Sequence, residues 1–129
     1  MVSLPWLGAK MGHVRVTVEI TNPLRPERSL IVPNALVDTG ASRTTIPRAL
    51  AEELQLEILG TSQVRTADGT SVLDQSFALI TLNDRRSVGD IWVRDTYSGV
   101  LIGVITLESL GLAVDPKSGQ LFDSPFLLL

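Results

Sequence analysis

The 129-residue chain has no cysteine, a single histidine, and only 5% aromatic side chains. Without cysteine, disulfides and thiolate chemistry are excluded and most zinc sites go with them. Such a composition suits a cytoplasmic protein. There is no basic excess either: 11 Lys and Arg stand against 14 Asp and Glu, a net charge of -3. With no basic stripe interleaved with aromatics, a nucleic-acid partner is not expected. No apolar run approaches the roughly 20 residues of a membrane helix. The opening Met1 to Lys10 lacks a charged start and is interrupted by Pro5 and Gly8, so it is a poor signal peptide. Neither a membrane partner nor a leader is therefore expected. Internal repeats, low-complexity tracts, GxGxxG, phosphate loops and metal-ligand spacings are also missing, so no metal and no cofactor is implied.

What remains is aliphatic. Hydrophobic residues make up 44% of the chain and charged residues 19%, and Val, Leu and Ile dominate over aromatics. That composition and length predict one domain spanning residues 1–129, mostly β, with a core that needs no metal or disulfide. The two ends are apolar, with Leu4, Trp6 and Leu7 at one and Phe126 to Leu129 at the other. Apolar ends on a small domain call for something to cover them.

The chain is organised around Ala35-Leu36-Val37-Asp38-Thr39-Gly40-Ala41-Ser42, where an apolar run stops at a carboxylate. A carboxylate at the end of a buried strand is expensive to ionise unless it is solvated, hydrogen-bonded or functional. Gly40 permits a turn or close backbone approach, and Thr39 and Ser42 supply hydroxyls that can fasten it. By composition alone Asp-Thr-Gly is an ordinary strand-to-turn exit, and its neighbours must decide its meaning.

Before this stretch, His13 to Ile20 alternates apolar and polar residues with the period of a half-buried strand. His13 opens it with no acid or nucleophile beside it, which makes it a packing or surface residue. Asn22 to Ser29, with Pro23 and Pro26, reads as a loop. Leu30 to Val37 reads as a second hairpin strand that delivers Asp38. After the stretch, Thr44 to Ile46 is extended and Pro47 suits the first turn of a helix through Leu50 and Leu54 that fades before Gly60. Glu52 and Glu53 are adjacent on it, point apart and belong to solvent. Thr61 to Ala67 and Thr70 to Leu82 are β-prone runs joined at Asp68-Gly69, a strong hairpin signal. Asn83 to Arg86 reads as a polar turn and Val88 to Val93 as a strand. Val100-Leu101-Ile102-Gly103 is a buried strand feeding a short helix, Val104 to Leu110, with Gly111 as its stop. Leu112 to Asp115, the turn Pro116 to Gly119, and Gln120 to Phe122 form a final hairpin.

Read together, Ala-Leu-Val-Asp-Thr-Gly-Ala and the later Val-Leu-Ile-Gly before a short helix resemble the two signatures of retroviral-type (retropepsin-like) aspartic proteases. The ending Leu110 to Pro116 resembles small single-domain members from bacteria and archaea. The resemblance runs from about residue 13 to 115 and implies a closed, retropepsin-like β-barrel (acid protease fold) with one or two short helices. It implies Asp38 as the catalytic carboxylate, Thr39 as the hydroxyl that locks two active-site loops together, and Gly40 and Ala41 completing the loop. Leu36 and Leu101 match positions lining side-chain pockets, so cleavage beside apolar residues is expected. Asp68 and Gly69 fall at the tip of the flap that closes over substrate. Ser42 and Arg43 stand where the retroviral enzymes carry acids, and Val104 where they carry an arginine; both halves of that ion pair are lost together.

The chain holds one Asp-Thr-Gly, and aspartic protease chemistry needs two carboxylates sharing a proton, one activating water and one protonating the scissile carbonyl oxygen. The resemblance therefore implies a two-fold homodimer acting on a protein or peptide substrate, with the apolar termini as interface strands. Pepsins carry a serine after the glycine where Ala41 stands; lacking that hydroxyl, the pair should have a less acidic optimum. The competing expectation is a catalytically silent peptide-binding or assembly module on the same fold.

Overall fold

The computed structural model describes residues 14–67, 69–95 and 99–124. The expectations for His13, Asp68 and the two apolar termini concern residues outside that set. In chain order the elements are β1 (Val14–Asn22), β2 (Arg25–Val37), β3 (Thr44–Pro47), α1 (Arg48–Glu53), β4 (Gly60–Thr66), β5 (Gly69–Leu82), β6 (Arg85–Arg94), β7 (Leu101–Ile102), α2 (Val104–Ser109), β8 (Leu112–Val114) and β9 (Leu121–Asp123).

Alternation builds the walls. In β1, Val18 and Ile20 are buried while Arg15, Thr17 and Glu19 face solvent, and β5 buries Ser76, Ala78, Ile80 and Leu82 at a strict period of two. The main sheet runs β1-β2-β7-β3-β6-β5-β4, and β1 pairs with β5 as well. That second pairing, Glu19 to Thr81 through Thr21 to Leu79, closes six strands into a ring with β4 appended to β5. The expected closed barrel is thus the observed pairing. Closure removes free edges from most of the sheet. Pairing of β2 with β7 and of β3 with β6 is parallel, and the remaining ladders are antiparallel. Ile46, Ile91, Val93, Ile102 and Leu107 fill the interior, each at most 1% exposed. Burying such side chains contributes about 1.5–3 kcal/mol apiece.

Three local readings are corrected. The predicted loop Asn22 to Ser29 is only the two-residue turn Pro23-Leu24, closed by the Leu24 amide donating to Asn22 Oδ1 at 2.9 Å. Strand β2 starts at Arg25, and Pro26, Glu27 and Arg28 bulge from it because Asn22 pairs with Arg25 while Thr21 pairs with Ser29. Those charged residues are exposed as expected. The turn predicted over Asn83 to Arg86 shrinks to Asn83-Asp84, with Asn83 at φ 57°, and both arginines enter β6. In the third case, the hairpin joint moves by one residue, since Thr66 pairs with Gly69. Helix α1, the stop at Gly111 (φ 72°) and the final β8–β9 hairpin lie where the sequence puts them.

One polar side chain ties two of these elements together. Asn22 is 2% exposed, and its Nδ2 donates to the carbonyls of Leu54 and Gln55 at 3.0 and 2.9 Å. These carbonyls close the end of α1, where Gln55 sits at φ 54° and the Leu56 amide returns to the Ala51 carbonyl at 3.0 Å. Replacing Asn22 with Ala strands the partners of three hydrogen bonds, one buried and two part-buried. Asn22→Ala should lower unfolding free energy by about 2–4 kcal/mol, read from urea denaturation; a loss below about 0.5 kcal/mol would remove Asn22 from this structural role.

Candidate active site

The stretch around Asp38 is held from below by the chain that follows β6. Leu36 N–H donates to the Val100 carbonyl at 2.9 Å and Asp38 N–H to the Ile102 carbonyl at 3.0 Å, extending the parallel register of Leu36 with Leu101 and Val37 with Ile102. The chain then turns, with Ala41 N–H bonded to the Asp38 carbonyl at 3.1 Å and Gly40 N–H to Asp38 Oδ1 at 2.9 Å. That carboxylate is half-buried, and Oδ2 has no partner among the described residues. Thr39 and Gly40 beside it are exposed.

Helix α2 begins directly beneath this turn and has no side-chain N-cap. Its first amides are satisfied by the turn itself: Val104 N–H donates to the Ala41 carbonyl at 2.8 Å and Ile105 N–H to the Ser42 carbonyl at 3.1 Å. Such proximity requires Gly103, because a Cβ there would lie 2.5–2.7 Å from Arg43 backbone atoms. Gly103 N–H donates to Thr44 Oγ1 at 3.0 Å, and Thr44 Oγ1 shares a 2.6 Å hydrogen bond with Thr106 Oγ1. Both threonines are buried. The sequence signals Gly103, but not the Thr44–Thr106 pair, which joins residues 62 apart in the chain.

On the barrel's outer face, cross-strand partners line up as one row. Leu36 is opposite Leu101, Leu101 opposite Thr45, Thr45 opposite Trp92, Trp92 opposite Gln75, and Gln75 opposite Gly60. Partners in register share a face, and a period of two brings Asp38 to the face of Leu36. Leu36 and Leu101, which the resemblance implies as pocket residues, are thus brought side by side on the face of Asp38. Within the row, Thr45 Oγ1 is buried and has no hydrogen-bond partner among the described residues. Asp68 lies outside the described residues, and Gly69 is the exposed first residue of β5, at φ 125°.

Arg43 extends from the turn to Asp90, with Nη1 2.8 Å from Oδ2, and lies over the Trp92 ring at 5.9 Å. These residues edge a cavity of about 90 Å³ with Leu59, Gln75, Ser76 and Ile91. A wider groove of about 550 Å³ lies elsewhere, along β1 and the β9 approach. Asp38 lines neither.

A second charged cluster anchors the β4–β5 hairpin. Asp74 of β5 accepts from Thr61 Oγ1 of β4 at 2.7 Å and from Arg48 Nη2 of α1 at 2.8 Å, and Arg48 Nε also reaches Asp95. The Thr61 hydroxyl and then the Arg48 guanidinium hold the Asp74 carboxyl below its usual range. No group of three or more metal-ligating side chains occurs among the described residues, and none of their helices is long and apolar enough to cross a membrane.

Comparison with known proteins gives this geometry relatives. Residues 33–112 match the family described as "gag-polyprotein putative aspartyl protease". No curated protein sequence matches the chain. Among solved structures it is similar to EIAV protease complexed with the inhibitor HBY-793, at 18% identity and TM-score 0.61, covering 98% of this chain and 100% of that one. A retropepsin-like aspartic protease from Rickettsia conorii superposes at 17% identity and TM-score 0.55, covering 80% and 76%. The retroviral protease-like domain of Ddi1 from Leishmania major does so at 18% identity and TM-score 0.55, covering 88% and 90%. The fold is retropepsin-like.

Two expectations follow from the geometry. Thr44→Val, which removes the acceptor for Gly103 N–H, should destabilise the protein by about 1–3 kcal/mol, whereas Thr45→Val, which removes an unpartnered buried hydroxyl, should be neutral or stabilising. Equal losses in thermal unfolding would contradict this assignment. Because the folded-state pKa of Asp74 is depressed, its contribution is fully present above the unfolded carboxylate range and is lost as pH falls through the folded value. The stability gap between the parent protein and Asp74→Asn should be constant near neutrality and shrink below about pH 4, measured by urea titrations across pH; a gap that widens on acidification would refute the sign.

Proposed function

The chain belongs to the gag-polyprotein aspartyl protease family, and from that premise we propose that it is an aspartic endopeptidase whose active centre forms from the Asp38 residues of two identical chains. The observation that carries this reading is the Asp38 turn. Its carboxylate has one oxygen engaged by Gly40 N–H and the other without a partner among the described residues, on the face that also carries Leu36 and Leu101.

A single carboxylate cannot serve as both base and acid. Two Asp38 side chains across a two-fold axis would share one proton, since two close carboxylates cannot both ionise cheaply. In the proposed cycle the ionised carboxylate removes a proton from a water whose oxygen attacks the scissile carbonyl carbon. The protonated one gives its proton to the carbonyl oxygen. Collapse of the resulting diol breaks the C–N bond as a proton reaches the leaving amine. Thr39, exposed beside Asp38, is assigned to lock the paired turns, and Gly40 and Ala41 to line the cleft with backbone. Leu36 and Leu101 flank the cleavage site and favour apolar residues there, and the β4–β5 hairpin with Asp68 and Gly69 covers the bound peptide. Water is the nucleophile, so the cycle calls for no cofactor, and a cysteine-free chain is compatible with work in the cytoplasm.

The test is hydrolysis of an unfolded protein substrate from pH 3 to 8 by the parent protein and Asp38→Asn, with sedimentation to follow assembly. The parent should cleave, be blocked by a statine-type inhibitor, and have an optimum less acidic than pepsin's. Asp38→Asn should lose about 10²–10⁴-fold in turnover while assembling normally. A folded, dimeric parent that cleaves nothing at any pH would replace this reading with a peptide-binding module.

A further inference from the structure

The row of outward-facing side chains that starts beside Asp38 ends at a charged slot. Moving across the barrel wall from Leu36 through Leu101 and Thr45 to Trp92 crosses three strand spacings of about 4.8 Å, or roughly 14 Å. An extended peptide of about four residues covers that distance. Side chains change character along the way: two leucines, then the buried unpartnered hydroxyl of Thr45, then the indole of Trp92. Beside Trp92 opens the cavity of about 90 Å³, the size of one medium side chain, edged by Leu59, Gln75, Arg43 and Asp90.

We propose that this slot selects an acidic substrate side chain a few residues from the scissile bond, with Arg43 as the specificity-determining residue. The inference deepens the peptidase reading and rests on it for the placement of the bond to be cut. Among the described residues Arg43 is the one cation lining the slot, and its guanidinium lies over the Trp92 ring with Nη1 engaged by Asp90. The cation–π contact keeps the guanidinium beside the indole, and its remaining N–H groups are donors suited to a carboxylate. The Asp90 pairing does not saturate it: the two side chains are 42% and 70% exposed, the regime in which an ion pair is weak. Arg48 in the same molecule already serves two carboxylates at once, Asp74 and Asp95. The apolar body of the side chain would lie against Leu59 and Trp92 while its charge meets Arg43. At Arg43 a substrate lysine would face like charge and a glutamine would forgo the ionic part of the contact, while Asp90 on the same slot is the carboxylate with which a glutamate competes for the guanidinium.

The test uses the full chain and synthetic peptides with an apolar scissile pair, in which Glu, Gln or Lys is placed in turn at about the second to the fifth residue from that bond. Two readouts are taken: kcat/KM for cleavage, and Kd for reduced-amide, uncleavable versions of the same peptides. At one position Glu should exceed Gln about tenfold in both readouts, and Lys should be poorest. In Arg43→Gln the Glu-to-Gln ratio should fall to near one, in Arg43→Lys part of it should survive, and in Asp90→Asn, where the competing carboxylate is gone, it should rise. Equal handling of Glu and Gln at every position, or a Glu preference that outlasts Arg43→Gln, would overturn the proposal. Selective binding of Glu peptides without any cleavage would instead defeat the peptidase reading and leave the slot standing. Cleavage with no preference would do the reverse, and a protein that neither cleaves nor binds would end both.

Discussion

The contact between the Asp38 turn and Gly103 is the constraint on which the rest of the architecture depends. Arg43 backbone lies where a side chain at 103 would have to be, so α2 can begin immediately under the turn. That closeness lets the carbonyls of Ala41 and Ser42 take up the helix's first amides. Each partner supplies what the other lacks: a helix without a side-chain cap gains acceptors, and an exposed turn gains two fixed points. The buried Thr44–Thr106 pair and the Gly103 amide bonded to Thr44 complete the joint. Remove the close approach and α2, the turn and the start of β3 lose their common reference.

Around that joint the barrel holds a row of side chains at fixed spacing on its outer face. The inner face is filled by Ile46, Ile91, Val93 and Ile102, all but inaccessible. Strand alternation then obliges Leu36, Leu101, Thr45 and Trp92 to face outward. The parallel pairings of β2 with β7 and β3 with β6 set which outward residues are neighbours. The β4–β5 hairpin is tied to the same frame by Asp74, Thr61 and Arg48, the last sitting one residue beyond β3. The joint beneath Asp38 and the β4–β5 hairpin therefore share the short segment Thr44 to Arg48.

Much of this was legible because it is written in local pattern. The abrupt end of an apolar run at Asp38, the glycine before α2, the Gly111 stop and the alternation of β1 and β5 each announce themselves within a few residues. The same kind of signal misled at Asn22 to Ser29, where two prolines and several charges read as a loop. A bulge accommodates those residues within an extended strand, and the cross-strand partner that holds them lies outside the window of any local reading. Asn22 was invisible for a related reason, since its carbonyl partners are 32 and 33 residues away. The Arg43, Asp90 and Trp92 cluster was out of reach too: it joins the turn ahead of β3 to β6, with the charged partners 47 positions apart. Long-range pairing creates this part of the surface, and no spacing rule encodes it.

The separation between the two halves of the joint has a consequence for the life of the chain. Thr44 waits for partners 59 and 62 residues further on, and the Asp38 amide waits for Ile102. Ribosomal synthesis proceeds from the N-terminus, so the carboxylate emerges long before anything can seat it. Contacts of such sequence separation are slow to form and are rewarded only after the intervening chain has been ordered. A nascent or truncated chain therefore carries the Asp-Thr-Gly stretch as an unorganised segment. Order at Asp38 is withheld until nearly the whole barrel exists, so a seated carboxylate is a sign that the fold is complete.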